Sequence, residues 1–286
     1  MKKTIGKLMI LAGILIFACF IYNGAGGFSF GGFNQKADHT AAASLKGISA
    51  IDINAKSITV NIKAEQRDDI TAELTGNARL ESAEKGNTLQ LTVHPKPFQF
   101  FFFQNNELVV KVPYEYKDDL SVISGSGNVK ISGGRLALNK VTLSSGSGTQ
   151  KVDQLQAEEL EVQGTSGNIR LKDVRTAEGD IRSTSGNTEL ENVTGRLNIK
   201  QTSGDLRASF SAVDAPLSIK QTSGNAKLDL PDDADISLEA TSTSGSISHS
   251  FSFDQISSDK RTLTGKNGNG KNKIDISLTS GNVSIE

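Results

Sequence analysis

Apolar and polar residues alternate in short runs along residues 120–286, and the runs return at a near-constant interval. A Ser-Gly pair recurs at Gly127, Gly148, Gly167, Gly186, Gly204, Gly224, Gly245 and Gly281, with spacings of 21, 19, 19, 18, 20, 21 and 36 residues. Five residues before each glycine stand Val122, Leu143, Val162, Ile181, Ile199, Ile219, Ala240 and Ile276, all apolar. Seven before it every copy but one (Gly179) is aliphatic, and the position between these two columns is always polar. That is the period of a strand with one buried face. Four after the glycine a second column is apolar in seven of eight copies, with His249 the exception, so a second strand follows. Between the two strands, Gly beside Asn or Asp tolerates positive φ and Ser or Thr hydroxyls bond local backbone. The tetrad is therefore a corner.

Short strands joined by corners at this interval predict an all-β fold, a parallel β-solenoid (β-helix) with about 20 residues per rung, over residues 120–286. Eight rungs stacked at ~4.8 Å make a rod roughly 35 Å long. Residues 45–119 are strand-like but off the repeat: Ile51–Ile53, Ser57–Ile62 and Leu89–Val93 alternate with period two, and Leu108–Val112 ends at Pro113. They predict an N-terminal β cap that covers the exposed edge of the first rung. The 36-residue interval before Gly281 contains a polar loop over 257–273 and predicts one enlarged last rung.

Ahead of all this, Leu8–Tyr22 is apolar without a charge and follows Lys2, Lys3 and Lys7. Residues 1–23 therefore predict a basic flank and a signal-anchor helix that crosses the cytoplasmic membrane once through residues 5–22, N-terminus inside and C-terminal domain outside. Cleavage after Ala25 and acylation of Cys19 are the alternatives; Asn23 is awkward for the first and Phe17 for the second. Residues 24–44, rich in Gly and Ala with Phe28, Phe30 and Phe33, predict a flexible linker.

Composition narrows the chemistry. Thirty-one basic and 32 acidic side chains leave a net charge of −1, which excludes nucleic-acid binding driven by bulk charge. The lone Cys19 lies in the apolar run, so the remainder can build neither an internal disulfide nor a thiolate metal site. His39, His94 and His249 are far apart, and the nine-residue glycine-aspartate pattern of calcium-binding rolls is missing. Neither catalytic residues, nor metal ligands, nor a cofactor site is assigned. The material for the rival reading, a polysaccharide-active β-helix enzyme acting on cell-wall glycan, is Asp173, Asp180, Glu189 and Glu191 in two adjacent rungs. Acidic residues on polar β faces are ordinary.

Two features invite contact with other molecules. Three residues past each glycine come Lys130, Lys151, Arg170, Glu189, Arg207 and Lys227, which the alternation points outward as a stripe suited to an anionic cell-envelope polymer. Arg182, Lys200 and Lys220 form a shorter basic column before the corner. The second feature is Phe98, Phe100, Phe101, Phe102 and Phe103, beside Pro95 and Pro97, which cannot form a regular central strand. Those rings cover the open end of the solenoid or contact a partner or membrane.

The N-terminal anchor, an opening β segment ending in Leu108-Val109-Val110-Lys111-Val112-Pro113, and the repeated Thr-Ser-Gly-Asn corners resemble the putative-adhesin family of Firmicutes, a domain of unknown function, and LiaG-type proteins within it. The resemblance covers roughly residues 45–286. It implies a membrane-anchored extracytoplasmic β-solenoid associated with the cell-envelope stress response, without established catalytic residues. Its corners specify architecture rather than activity.

Overall fold

The computed structural model describes residues 37–94 and 106–286, and within them every regular element is a β-strand. The segment 1–23 expected to be a signal anchor, Cys19 and the five clustered phenylalanines lie outside the described residues. Residues Gln35–Glu286 form one compact unit.

The eight Ser-Gly corners stack. Parallel pairing sets Val129 beside Gln150, Gln150 beside Ile169, Ile169 beside Thr188, Thr188 beside Leu206 and Leu206 beside Ala226, so each rung's second strand lies on the previous one without slippage. The strand before the corner stacks likewise: Leu120, Val141, Leu160, Gly179, Leu197 and Leu217 follow one another in register. Both apolar columns face inward, and Val122, Leu143, Val162 and Ile181 are fully buried. The middle rungs turn again six residues past the glycine, at Gln154, Asp173 and Asn192, all at positive φ near +55°. Leu155, Val174 and Val193 then form a third inward column. Each middle rung is thus three-sided around one aliphatic core.

Among the described residues of 45–119, part of the segment is itself rung. Ala50–Lys56 lies parallel on Asp119–Ser124, pairing Ile51 with Leu120 and Ile53 with Val122, and Thr59–Glu65 continues parallel on Val129–Ser132. Thr88–His94 and Glu107–Pro113 stack parallel on the outer side of these strands. Only beyond them does the direction change: Arg79–Lys85 and Asp69–Thr75 run antiparallel on that rung, and Ala37–Asp38 and Thr40–Ser44 pair with them in turn. Residues 37–44 therefore belong to the sheet rather than to a linker. The repeat was hidden here because Lys56-Ser57-Ile58 replaces the Ser-Gly corner, with Lys56 at φ +50°.

The other end departs further from an even repeat. Leu217–Ser223 pairs parallel with Asn272–Ser280, not with Ile236–Ser244, and Asn272–Ser280 then pairs with Ile236–Ser244. The order along the axis is thus the rung of Gly224, then that of Gly281, then that of Gly245. The intervening segment is not an enlarged rung. It turns back as an antiparallel pair, Thr262–Asn267 on Ile236–Ser244 and Gln255–Ser258 on Thr262–Asn267. Phe251 and Phe253 pack edge to face at 4.8 Å, and a side chain at Gly265 would run into the Phe253 ring, which closes the core at this end. Asp235 and Asp259 fasten the pair by accepting backbone N–H bonds, Asp235 from Lys271 and Asp259 from Arg261 and Thr262. Those bonds hold both carboxyls below the usual aspartate range.

Candidate functional site

The corners show why their residue types recur. At seven of the eight the glycine has φ between +110° and +159°, and in those seven a Cβ would run into the carbonyl oxygen of the glycine one rung away. Asn and Asp do not share the positive φ, as their chemistry suggested they could. They form a ladder instead: Asn168 Oδ1 accepts from Asn187 N, Asn187 Oδ1 from Asp205 N, Asp205 Oδ1 from Asn225 N and Asn225 Oδ1 from Asn282 N, at 3.0–3.2 Å. Each side chain thereby satisfies the next rung's backbone donor, which no strand pairs.

Three residues before the glycine lies a column that the sequence reading missed. Ser124, Ser145, Ser183, Gln201, Gln221 and Ser242 are buried there, although polar. Gln201 Nε2 donates to the Gly186 carbonyl at 2.9 Å, Gln221 Nε2 to Gly204 at 2.5 Å, and Ser242 Oγ to Gly281 at 2.9 Å. These side chains bond the corner carbonyls from inside, so the corner is clamped on both faces. Where the column has Gly164, Gln150 from across the core donates to the Gln163 carbonyl instead, at 2.7 Å. The available signal was Ser or Gln in six of eight copies at one offset.

The outward stripe is real geometry. Lys130 pairs in register with Lys151, Lys151 with Arg170, Arg170 with Glu189, Glu189 with Arg207, and Arg207 with Lys227, and all six side chains are exposed. Its charge is partly neutralised on the spot. Arg170 meets Glu189 at 3.1 Å, Arg207 meets Asp205 at 3.8 Å, and Lys227 meets Glu286 at 2.8 Å, holding the Glu286 carboxyl below its ordinary range. Among the described residues, Lys130 and Lys151 have no carboxylate within ion-pair distance.

The shorter column fares differently. Arg182, Lys200 and Lys220 follow one another in register on the strand before the corner. Together with the threonines two residues further on, Thr184, Thr202 and Thr222, they edge an open groove of about 640 Å³. Gln201 and Gln221 form part of its floor.

The four carboxylates of the enzymatic reading are occupied. Glu189 faces Arg170, Glu191 faces Lys172 at 2.5 Å, and Asp180 meets Arg182 at 2.7 Å while accepting from Asn198. Asp173 accepts from Asn192 at 3.0 Å. The Glu191 partnership raises the Lys172 ammonium above its ordinary range. Each acid is matched to a neighbour one rung or two residues away, the arrangement of a solvated β face. His94 pairs with Glu81 at 3.0 Å, and His249 stacks edge-on against Phe253. His39 and His94 lie in the N-terminal part of the sheet and His249 on the rung at the C-terminal end, so the structure does not bring the three histidines together.

Comparison with known proteins places this architecture. A family model described as Toastrack DUF4097 matches residues 48–286. A solved structure of a putative adhesin from Bacteroides fragilis is 16% identical, covers 86% of this chain and 96% of its own, and superposes with a TM-score of 0.50, which shows a shared fold. A putative adhesin from Parabacteroides distasonis is 13% identical over 88% of this chain and 98% of its own, with a TM-score of 0.48. A putative lipid binding protein from the same species is 12% identical over 86% and 96%, with a TM-score of 0.42. Among curated proteins none matches.

Proposed function

We propose that this chain, which belongs to the Toastrack DUF4097 family, is an adhesin-like interaction module of the cell envelope rather than an enzyme. In this reading it is of the LiaG type, is held in the cytoplasmic membrane by residues 5–22 with the solenoid outside, and serves the cell-envelope stress response. Its partner is an anionic cell-envelope polymer or another envelope protein. The observation that carries the reading is the stacking of outward cations, rung on rung in register, on a frame whose corners at Gly186, Gly204 and Gly281 are clamped from inside, a surface whose charges keep fixed spacing. Such a surface suits a repetitive partner, because preorganisation lowers the cost of binding.

Reversal of Lys130, Lys151, Arg170 and Lys227 to Glu tests it. The full-length chain is expected to bind an anionic envelope polymer in a salt-sensitive manner, and the fourfold variant to bind at least tenfold more weakly while keeping its melting temperature within a few degrees. Surface ion pairs of this kind contribute only ~0–1 kcal/mol each, so stability should change little. A parent that binds neither polymer nor envelope protein, or that releases new chain ends from the polymer, overturns the reading.

A further inference from the structure

We infer that the groove edged by Arg182, Lys200 and Lys220 is a binding site for one extended acidic glycan chain, lying along the stack axis with its carboxylates on the cations and its hydroxyls on the threonines. The inference rests on the interaction-module reading and adds to the outward stripe a second site, on the other side of the corner, with a ligand of its own.

Three observations converge on this assignment. First, Arg182, Lys200 and Lys220 sit on successive rungs in direct register, which spaces their charges by ~5 Å, close to the advance of one sugar residue along an extended chain. Secondly, these charges are less spent than those of the stripe. Arg182 meets Asp180 at 2.7 Å, but among the described residues neither Lys200 nor Lys220 has a carboxylate within 4.0 Å. In the stripe three of the five cations, Arg170, Arg207 and Lys227, have one, against one of three in this column. A cation free of an internal partner gives its full attraction to a ligand carboxylate, whereas a paired one must first exchange its partner. Thirdly, the surface is concave. The chain dips at buried Gln201 and Gln221, whose amides are fastened to Gly186 and Gly204, so exposed residues rise on both sides of a fixed floor.

The lining also selects among anions. Hydroxyls of Thr184, Thr202 and Thr222 stand across from the three cations, one per rung. A sugar acid carries both a carboxylate and hydroxyls on every residue, so a hydroxyl-and-cation pair repeating with each rung matches it group for group. A polyphosphate carries charge without hydroxyls, so it can only accept from the threonines, whereas a sugar acid both accepts from them and donates to them. The groove extends from Ser144 to Thr279, across six rungs, which gives ~24 Å of track and room for four or five sugar residues. Multiple weak contacts in register then add up without any deep pocket.

The test is titration of the full-length chain with oligogalacturonates of increasing length, with neutral dextran oligomers and polyphosphate as comparisons. Affinity for oligogalacturonate should rise with length up to four or five residues and then level off, and should exceed that for polyphosphate of equal charge. Dextran should not bind measurably. Replacing Lys200 and Lys220 with Gln should weaken oligogalacturonate binding at least tenfold, and replacing Lys130 and Lys151 with Gln should change it less than twofold. Thr202→Val should weaken oligogalacturonate binding severalfold, and by more than it weakens any residual polyphosphate binding. Loss of binding only in the Lys130 and Lys151 variant overturns the groove and leaves the module reading standing. Tighter binding of polyphosphate overturns the glycan assignment. Failure to bind any of the polyanions overturns the groove, and the module reading then stands or falls on its protein partner.

Discussion

Replacing Gly186 with alanine is expected to lower the melting temperature by about 10 °C, whereas Ser185→Ala beside it should shift it by no more than about 1 °C. Gly186 has φ +123°, where an L side chain is strained, and its Cβ would collide with the Gly167 carbonyl. Strain of that kind costs ~1–3 kcal/mol. The collision adds to it, because the obstacle is backbone held in a ladder and cannot rotate away. A total of ~3–5 kcal/mol, at ~2–4 °C per kcal/mol for a chain of this size, gives the expected shift. Ser185 is exposed and its side chain makes no bond on which the corner depends, so its removal is close to neutral. Differential scanning calorimetry on the two variants decides the matter; equal shifts would mean that the glycine is replaceable and the corners do not nest.

Deleting the last five residues, 282–286, is expected to prevent folding, although chain termini usually tolerate truncation. The final strand, Val283–Ile285, is interior to the stack: Ala226–Asp229 lies on one side and Ile247–His249 on the other. Val283 and Ile285 are both fully buried. Glu286 N donates to the Leu228 carbonyl at 2.8 Å, and its own carbonyl accepts from Leu230 at 2.8 Å. Removing two buried aliphatics at ~2–4 kcal/mol each, together with the bonds on both faces, approaches the whole stability of an ordinary domain. The milder Ile285→Ala should fold and lose ~3 kcal/mol in urea titration. A truncated chain that melts with the parent's cooperativity and midpoint would show that the end of the chain lies outside the stack.

The parts of the molecule that could be read from the residues are those where one side chain has one job. Val122, Leu143 and their counterparts had to be inside, and the glycines had to be corners, because the same offset carried the same chemistry in each copy. Lys130 and Lys151 had to point outward because both neighbours along the strand point in. The order of the rungs was not readable. Nothing in Ile274 or Ile276 says whether they pack beside Leu217 and Ile219 or beyond Leu238 and Ala240, since aliphatics at equivalent positions are interchangeable. The choice is made at the far end, where Phe251, Phe253 and the antiparallel pair can cover only the rung of Gly245. The opening rung went unrecognised for a related reason: Ile51, Ile53, Val60 and Ile62 repeat the inward pattern, but a corner built on Lys56 lacks the signature.

The groove was missed because it depends on contrast between two columns rather than on either alone. Arg182, Lys200 and Lys220 were visible as a basic run. That Gln201 and Gln221 turn inward between exposed neighbours, and that Arg170, Arg207 and Lys227 find acids, required coordinates.

Stacking of the Ser-Gly corners in the order 224, 281, 245 is tested most directly by disulfide trapping in a Cys19→Ser background. Ser223 and Ser280 are register partners on adjacent strands, so their Cα atoms should lie ~5 Å apart, within reach of a disulfide. Ser223 and Ser244 are each paired to Ser280 from opposite sides, which separates them by ~10 Å. Under mild oxidation the Ser223→Cys, Ser280→Cys chain should cross-link nearly completely, and the Ser223→Cys, Ser244→Cys chain should stay reduced. The reverse outcome would put the rungs in chain order, and cross-linking in neither would mean that the corners do not stack.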